Sequence, residues 1–349
     1  MLEKYSELID GIDLKNAAII LGNGASISIS NSFSYKNLFL KASEIDNFPA
    51  SIFDTLNTTN FESVIYQLDI AQKINKAITT PLLPQINQLN QIISDTNITI
   101  RQSLIQTIQS IHPEYSLLSF ITLSEETVEK LLNYLTQFEY IINLNYDLLV
   151  YYILLHQTNK FTDYFLPDNT ANNKLTFNEE INWLTDQVKL YYPHGNIVLG
   201  VNNIGEEEKI TYHPPATLLQ TILSRWSNDT NFYPLFICEG SSTEKIKSIS
   251  RSYYLYYIYR NILPKLPENI ICYGWSLSEN DEHILKQILK DAQRNHKLLI
   301  SIRTSNKSEL QIETECTNIK NRINNINNNT EIHFFDSSDE GCWLNYNTN

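Results

Sequence analysis

Five apolar residues in succession, Ala17-Ala18-Ile19-Ile20-Leu21, are followed at once by Gly22. The run is too short for a helix and shows no polar alternation, so it predicts a strand buried on both faces, as in a parallel sheet. The same signature returns in Glu139–Asp147 (EYIINLNYD), a strand running into a polar turn. Val188–Gly200 (VKLYYPHGNIVLG) predicts a strand, a Pro-His-Gly turn and a second strand. The stretch NIICYGWSLSENDEHILKQILKDAQRNHKLLISIRT has the size and order of a strand-helix-strand unit, and TEIHFFDSS supplies a last strand.

Between the first two strands the period changes to that of a helix. A helix is expected from Tyr35 to about Leu40. Thr59-Asn60-Phe61-Glu62 has the pattern of a capping box, and Val64, Ile65, Leu68, Ala71, Ile74 and Ile78 then fall on one helical face, until Pro81 and Pro84 stop it. Two more helical segments follow, the second opened by Ser124 as a cap with Val128, Leu131, Leu132, Leu135 and Phe138 on one side. Residues 45–137 therefore read as a helical insertion within a single domain spanning residues 1–349. LLVYYILLH and STEKIKSISRSYYLYYIYRNIL are each expected to be one helix. Strands alternating with helices imply the α/β class, with a Rossmann-like, mostly parallel sheet and helices on both faces.

A hydrophobic fraction of 42% over 349 residues is enough for a sizeable core. The net charge of −13 and a pI near 5.0 speak against direct nucleic-acid binding, which needs clustered Lys and Arg. The first residues are polar, and the longest apolar stretches, such as Leu148–Leu155, fall far below the ~20 residues that cross a bilayer. A cytoplasmic protein without membrane contact is expected. Cys238, Cys272, Cys316 and Cys342 never form a Cys-x-x-Cys pair, so they read as reduced thiols rather than a zinc ribbon or a disulfide framework.

Glycine is scarce, at 9 residues. Gly22, Gly24, Gly195 and Gly274 nevertheless all stand at the end of a strand-like run, where open α/β sheets hold their ligands. In Gly22-Asn23-Gly24-Ala25-Ser26 the bare backbone suits close approach of a pyrophosphate, with Ser26 as a hydroxyl donor; tight packing of the turn is the other reading. Asn143-Leu144-Asn145-Tyr146-Asp147 places Asn145 to hold a water or a sugar hydroxyl, or Asn145 and Asp147 to cap the next helix. His194, beside Gly195 in a turn, is the histidine best placed to act as a base near neutral pH. Gly274-Trp275-Ser276 offers a second phosphate or adenosine contact, or a plain strand-to-helix turn, and Arg303, after the strand LLISI, is a candidate contact for an adenosine ribose or phosphate. Asp281-Glu282-His283 reads as helix capping and dipole compensation, because neighbouring residues on a helix point apart and no second ligand cluster completes a metal site. His112, His156, His213, His296 and His333 read as structural.

In their order along the chain, Gly-x-Gly-Ala-Ser, Asn-Tyr-Asp, His-Gly and Gly-x-Ser-Leu resemble the motif series of the sirtuins. The chain is similar in particular to a group of bacterial sirtuin-like proteins with LGNGASIS-, TNFE-, NLNYD- and PHG-like elements, spread here from Gly22 to His283. The resemblance implies NAD+ as substrate; no metal is expected, because no ligand cluster in the sequence completes a site. It places Gly22, Asn23, Gly24, Ala25, Ser26, Gly195, Gly274 and Ser276 against the dinucleotide, and Asn145, His194 and Asp147 at the reacting end, with Asp147 organising the loop. The implied activity is NAD+ glycohydrolysis to nicotinamide and ADP-ribose, in anti-phage defence. The alternative is a module that senses NAD+ or ADP-ribose without turnover inside a larger defence assembly. A homo-oligomer or a partner protein such as a ring ATPase is implied in either case. Departures are the missing glycine-isoleucine-proline-aspartate-phenylalanine-arginine run after Ser26, Asn143 in place of the Thr-Gln opening, and the missing four-cysteine module, so protein deacylation is not implied.

Overall fold

The structure, a computed structural model, describes residues 2–29, 33, 38–59, 61–78, 84–111, 123–168, 174–180, 186–211, 215–229, 232–237 and 241–346. The helix start at Tyr35, the Asn60 position of the capping box, Pro81, His112, His213 and Cys238 lie outside the described residues.

Among the described residues the strands in chain order are β1 (Ala17–Leu21), β2 (Tyr140–Asn143), β3 (Phe161–Thr162), β4 (Phe165–Pro167), β5 (Leu175–Phe177), β6 (Val188–Tyr191), β7 (Gly195–Asn202), β8 (Glu207–Lys209), β9 (Phe232–Phe236), β10 (Asn269–Tyr273), β11 (Lys297–Ile302) and β12 (Glu331–Asp336). Seven of them form one sheet in the order β12-β11-β10-β1-β2-β6-β3, with every neighbouring pair parallel. All five residues of β1 are buried, as a central strand flanked by helices requires. The fold is thus α/β and Rossmann-like.

On one side of β1 stand β2, β6 and β3, the chain reaching the edge strand β3 before it lays β6 next to β2; on the other side it lays β10, β11 and β12 in turn. The strand order reverses between β1 and β10, whose last residues, Leu21 and Tyr273, are paired. The turns that follow these two strands therefore open at the same level of the sheet edge, at the position where such folds leave a crevice.

Among the described residues the β1–β2 connection carries the helices Asn23–Ile29, Leu38–Ser43, Ala50–Thr55, Phe61–Ile78, Pro84–Ile111 and Glu125–Leu135. Phe39, Phe48, Phe53 and Phe61 tie its first part together, with ring centroids 5.1–5.9 Å apart. Pro84, expected as a stop, is instead the first residue of helix Pro84–Ile111, where a missing N–H leaves no hydrogen bond unmade. Ser124 caps helix Glu125–Leu135 as expected, its hydroxyl accepting from the Thr127 amide.

Two features depart from the sequence reading. The strand after the Pro-His-Gly turn, β7, leaves the parallel sheet for an antiparallel one of order β4-β5-β8-β7-β9. The long helix expected over STEKIKSISRSYYLYYIYRNIL is broken. Ser241 opens Ser242–Ile249 with a capping box, and the Ser252 hydroxyl accepts from the Leu255 amide to start Tyr253–Tyr257 afresh. A serine that bonds its own backbone competes with helix continuation. No helix among the described residues is long and apolar enough to cross a membrane.

Candidate functional site

Gly22 and the first turn of helix Asn23–Ile29, which follow β1, pack directly on the turn after β10. The Gly24 amide donates to the Gly274 carbonyl at 2.8 Å, and the Gly22 amide to the Tyr273 carbonyl at 2.9 Å. A Cβ on Gly22 would meet the Trp275 Cα at 2.5 Å, and one on Gly24 the Gly274 Cα at 2.7 Å. Gly274 has φ +66°, and its Cβ would fall 2.3 Å from the Ala25 nitrogen. These glycines are bare first because two backbones cross at the reversal point. The same crossing forms the floor of a cleft of about 770 Å³, lined by Gly22, Asn23, Gly24, Asn145, His194, Gly274, Ser276 and Arg303 among others.

Above that floor a buried polar network fixes the loop after β2. Ser26 Oγ donates to Asp147 Oδ2 at 2.7 Å, and the Leu149 amide donates to Asp147 Oδ1 at 2.9 Å. Asn196 Nδ2 donates to the Asp147 carbonyl at 2.7 Å. Asn145 Nδ2 donates to the Gly22 carbonyl at 3.0 Å and to Ser26 Oγ at 3.1 Å. A carbonyl only accepts, so the Asn145 amide is fixed in this orientation, and the atom it can offer the cleft is the acceptor Oδ1. Asp147, fully buried, holds the loop and the start of the next helix and is not part of the cleft wall.

His194, at the end of the turn after β6, is 3% exposed and lines the cleft. The Leu144 carbonyl bonds its ring, while its Nε2 lies 3.0 Å from His283 Nε2 and 3.9 Å from Asp281 Oδ1. Asp281 is shared: Lys245 Nζ donates to Oδ1 at 2.6 Å, and Trp275 Nε1 donates to Oδ2 at 3.3 Å. Burial, and next the Lys245 ammonium, hold His194 well below its ordinary pKa against the pull of Asp281. Burial also brings His283 down to about 4. Burial raises Asp281, but the facing His194, in its protonated form at low pH, and Lys245 outweigh it and bring the carboxyl to about 2. Near neutral pH the histidines are therefore uncharged, and Lys245–Asp281 is the standing ion pair.

The structure brings Asn145 and His194 together in one cleft with Gly22, Asn23, Gly24, Gly274 and Ser276. Ala25 and Ser26 are fully buried behind it, and Gly195 begins β7 against Leu235 and Phe236. None of these three lines the cleft. The Asp281-Glu282-His283 segment does not cap its helix: Asp281 makes no side-chain cap bond, Glu279 pairs with Arg322 and Glu282 with Lys286. The 3₁₀ turn Glu279–Asp281 before helix Glu282–Ile288 lets Asp281 and His283 converge on one point, which two residues in a straight helix would not do. His283, Asp281 and Lys245 are the site residues the sequence did not reveal. Their partners stand 87 residues (His194 to Asp281) and 36 residues (Lys245 to Asp281) away along the chain.

A family model described as a domain of unknown function, DUF4917, matches residues 19–343. No curated protein matches the chain.

Proposed function

This chain belongs to the DUF4917 family, and we propose that it is an NAD+ glycohydrolase whose reacting ribose lies between Asn145 and His194. The observation that carries the reading is the convergence of these two side chains in one cleft whose floor is the pair of glycine turns at the strand reversal. A volume of about 770 Å³ falls within the ~300–1,000 Å³ usual for small-molecule sites. Nicotinamide leaves as a neutral pyridine, so rupture of its bond to ribose needs little acid. It needs a held geometry and an acceptor for the proton of the attacking water. Asn145 Oδ1 is the acceptor that orients the water or a ribose hydroxyl, its amide locked by Gly22 and Ser26. His194 is uncharged near pH 7, so its ring can accept the proton.

Incubation of the full chain with NAD+ is expected to release nicotinamide and ADP-ribose in equal amounts. Asn145→Ala and His194→Ala are each expected to lower the rate by about 10²-fold or more. A chain that NAD+ protects against heat but that releases no nicotinamide at any protein concentration would be a binding module instead. Packing of the glycine turns against each other is compatible with that second reading.

A further inference from the structure

The His194–His283–Asp281 cluster has a hydrogen-bond requirement that its protein partners do not meet. The Leu144 carbonyl bonds the His194 ring, which puts the proton on Nδ1 and leaves a lone pair on Nε2. His283 then has two tautomers. With its proton on Nε2 it donates to His194 at 3.0 Å, and its Nδ1 becomes a buried acceptor that no donor reaches. With its proton on Nδ1, toward the Asn280 carbonyl, two Nε2 lone pairs face each other across 3.0 Å. Either state costs free energy. A cation shared by the two Nε2 atoms removes the conflict.

We propose that His194 Nε2, His283 Nε2 and an Asp281 carboxylate oxygen form a binding site for a divalent transition metal of the zinc class, with its open position on the cleft. These ligand atoms all lie within 4.8 Å of one another. Tetrahedral zinc with bonds near 2.0–2.1 Å needs ligand separations of about 3.3 Å. The 3.0 Å and 3.9 Å distances from His194 bracket that value. Two imidazoles and a carboxylate match the ligand preference of zinc rather than of calcium or magnesium. The backbone carbonyl on His194 is the outer support that metal-bound histidines need. Lys245, bonded to Asp281 Oδ1, is the competing cation, and metal entry displaces it toward the cleft, which it already lines. A metal on His194 Nε2 also blocks that nitrogen as a proton acceptor, so zinc inhibits turnover; this consequence alone rests on the glycohydrolase reading.

The test is titration of the full chain, stripped with chelator, with Co2+ as a spectroscopic probe. One equivalent is expected to bind with the intense visible bands of a tetrahedral complex. His283→Ala and Asp281→Asn are expected to weaken binding by at least about tenfold, and His333→Ala to leave it unchanged. Lys245→Gln is expected to tighten it, a gain that a merely misfolded variant would not give. Absence of stoichiometric tetrahedral bands, an affinity in either ligand variant equal to that of the parent chain, or no tightening on loss of Lys245 would each overturn the site. Zn2+ is expected to stop nicotinamide release at the concentration where it displaces Co2+. If the chain releases no nicotinamide, the Co2+ titration still decides the metal site by itself.

Discussion

Gly274 joins two constraints in one residue: a φ of +66° and a Cβ position 2.3 Å from the Ala25 nitrogen. Alanine there suffers the left-handed backbone cost of about 1–2 kcal/mol together with overpacking of about 1–3 kcal/mol. Gly274→Ala is therefore expected to lower stability by about 2–5 kcal/mol, read as the midpoint of urea unfolding, and to do so without any ligand present. A melting curve equal to that of the parent chain would show that the two turns are not in contact. Asn145→Ala carries a milder structural burden, because it removes the donors to Gly22 and Ser26 at about 1 kcal/mol each. Its rate loss is meaningful only when the variant is assayed well below its own melting temperature. The Asn145 and His194 positions were legible in the sequence because each adjoins a strand end and a turn. Their hydrogen-bond roles were not, since Asn145 takes its orientation from Gly22, a residue of another strand's turn.

Buried parallel strands announce themselves as short, mostly apolar runs, which is why β1, β2, β6, β10, β11 and β12 could be located from the chain alone. The second sheet could not: β4, β5 and β8 are three residues each, and β8 is Glu207-Glu208-Lys209. Contacts from outside the sheet add to it, such as Arg101, which bonds the Phe232 carbonyl and lies 4.7 Å from the Tyr233 ring centroid. The break at Ser250–Ser252 was likewise hidden, because the aromatic residues beyond it continue a helical pattern. Ser252→Ala removes the cap of helix Tyr253–Tyr257 and is expected to cost about 1 kcal/mol by chemical unfolding. At the sheet edge, His333 on β12 bonds Glu331 on its own strand and Glu3 of the segment that pairs with Phe335. Burial lowers the His333 pKa, but these two carboxylates outweigh it and leave it raised. The added stability is complete below the unfolded value of about 6.5 and is lost as pH rises through the higher folded value. The pair is partly solvated, so its loss costs at most about 1 kcal/mol. Melting temperatures of the parent chain and His333→Gln are expected to differ at about pH 6 and to converge at about pH 9. A constant difference across that range would exclude the ion pairs.

The cleft is assembled from both halves of the parallel sheet and from β7's turn, so its floor belongs to no single segment of the chain. Gly22, Gly24 and Asn145 come from one side of the reversal, Gly274 and Ser276 from the other, and His194 from the junction with the antiparallel sheet. A small fragment bound at one end of the cleft would protect one of these turns. A dinucleotide lying along the floor would protect all of them together, because each turn can open only when the ligand leaves. On the proposed reading His194→Ala turns NAD+ over only slowly, and addition of NAD+ to it is expected to slow amide hydrogen exchange around residues 22–29, 144–147 and 274–277. Exchange in helix Pro84–Ile111, remote from the cleft lining, is expected to stay as it was. ADP-ribose, which has the pyrophosphate and adenosine but no nicotinamide, should protect the two glycine turns equally well and the Asn145 loop less. Protection confined to one glycine turn, or spread evenly over the molecule, would place the dinucleotide elsewhere and remove the premise on which Asn145 and His194 were assigned to its ribose.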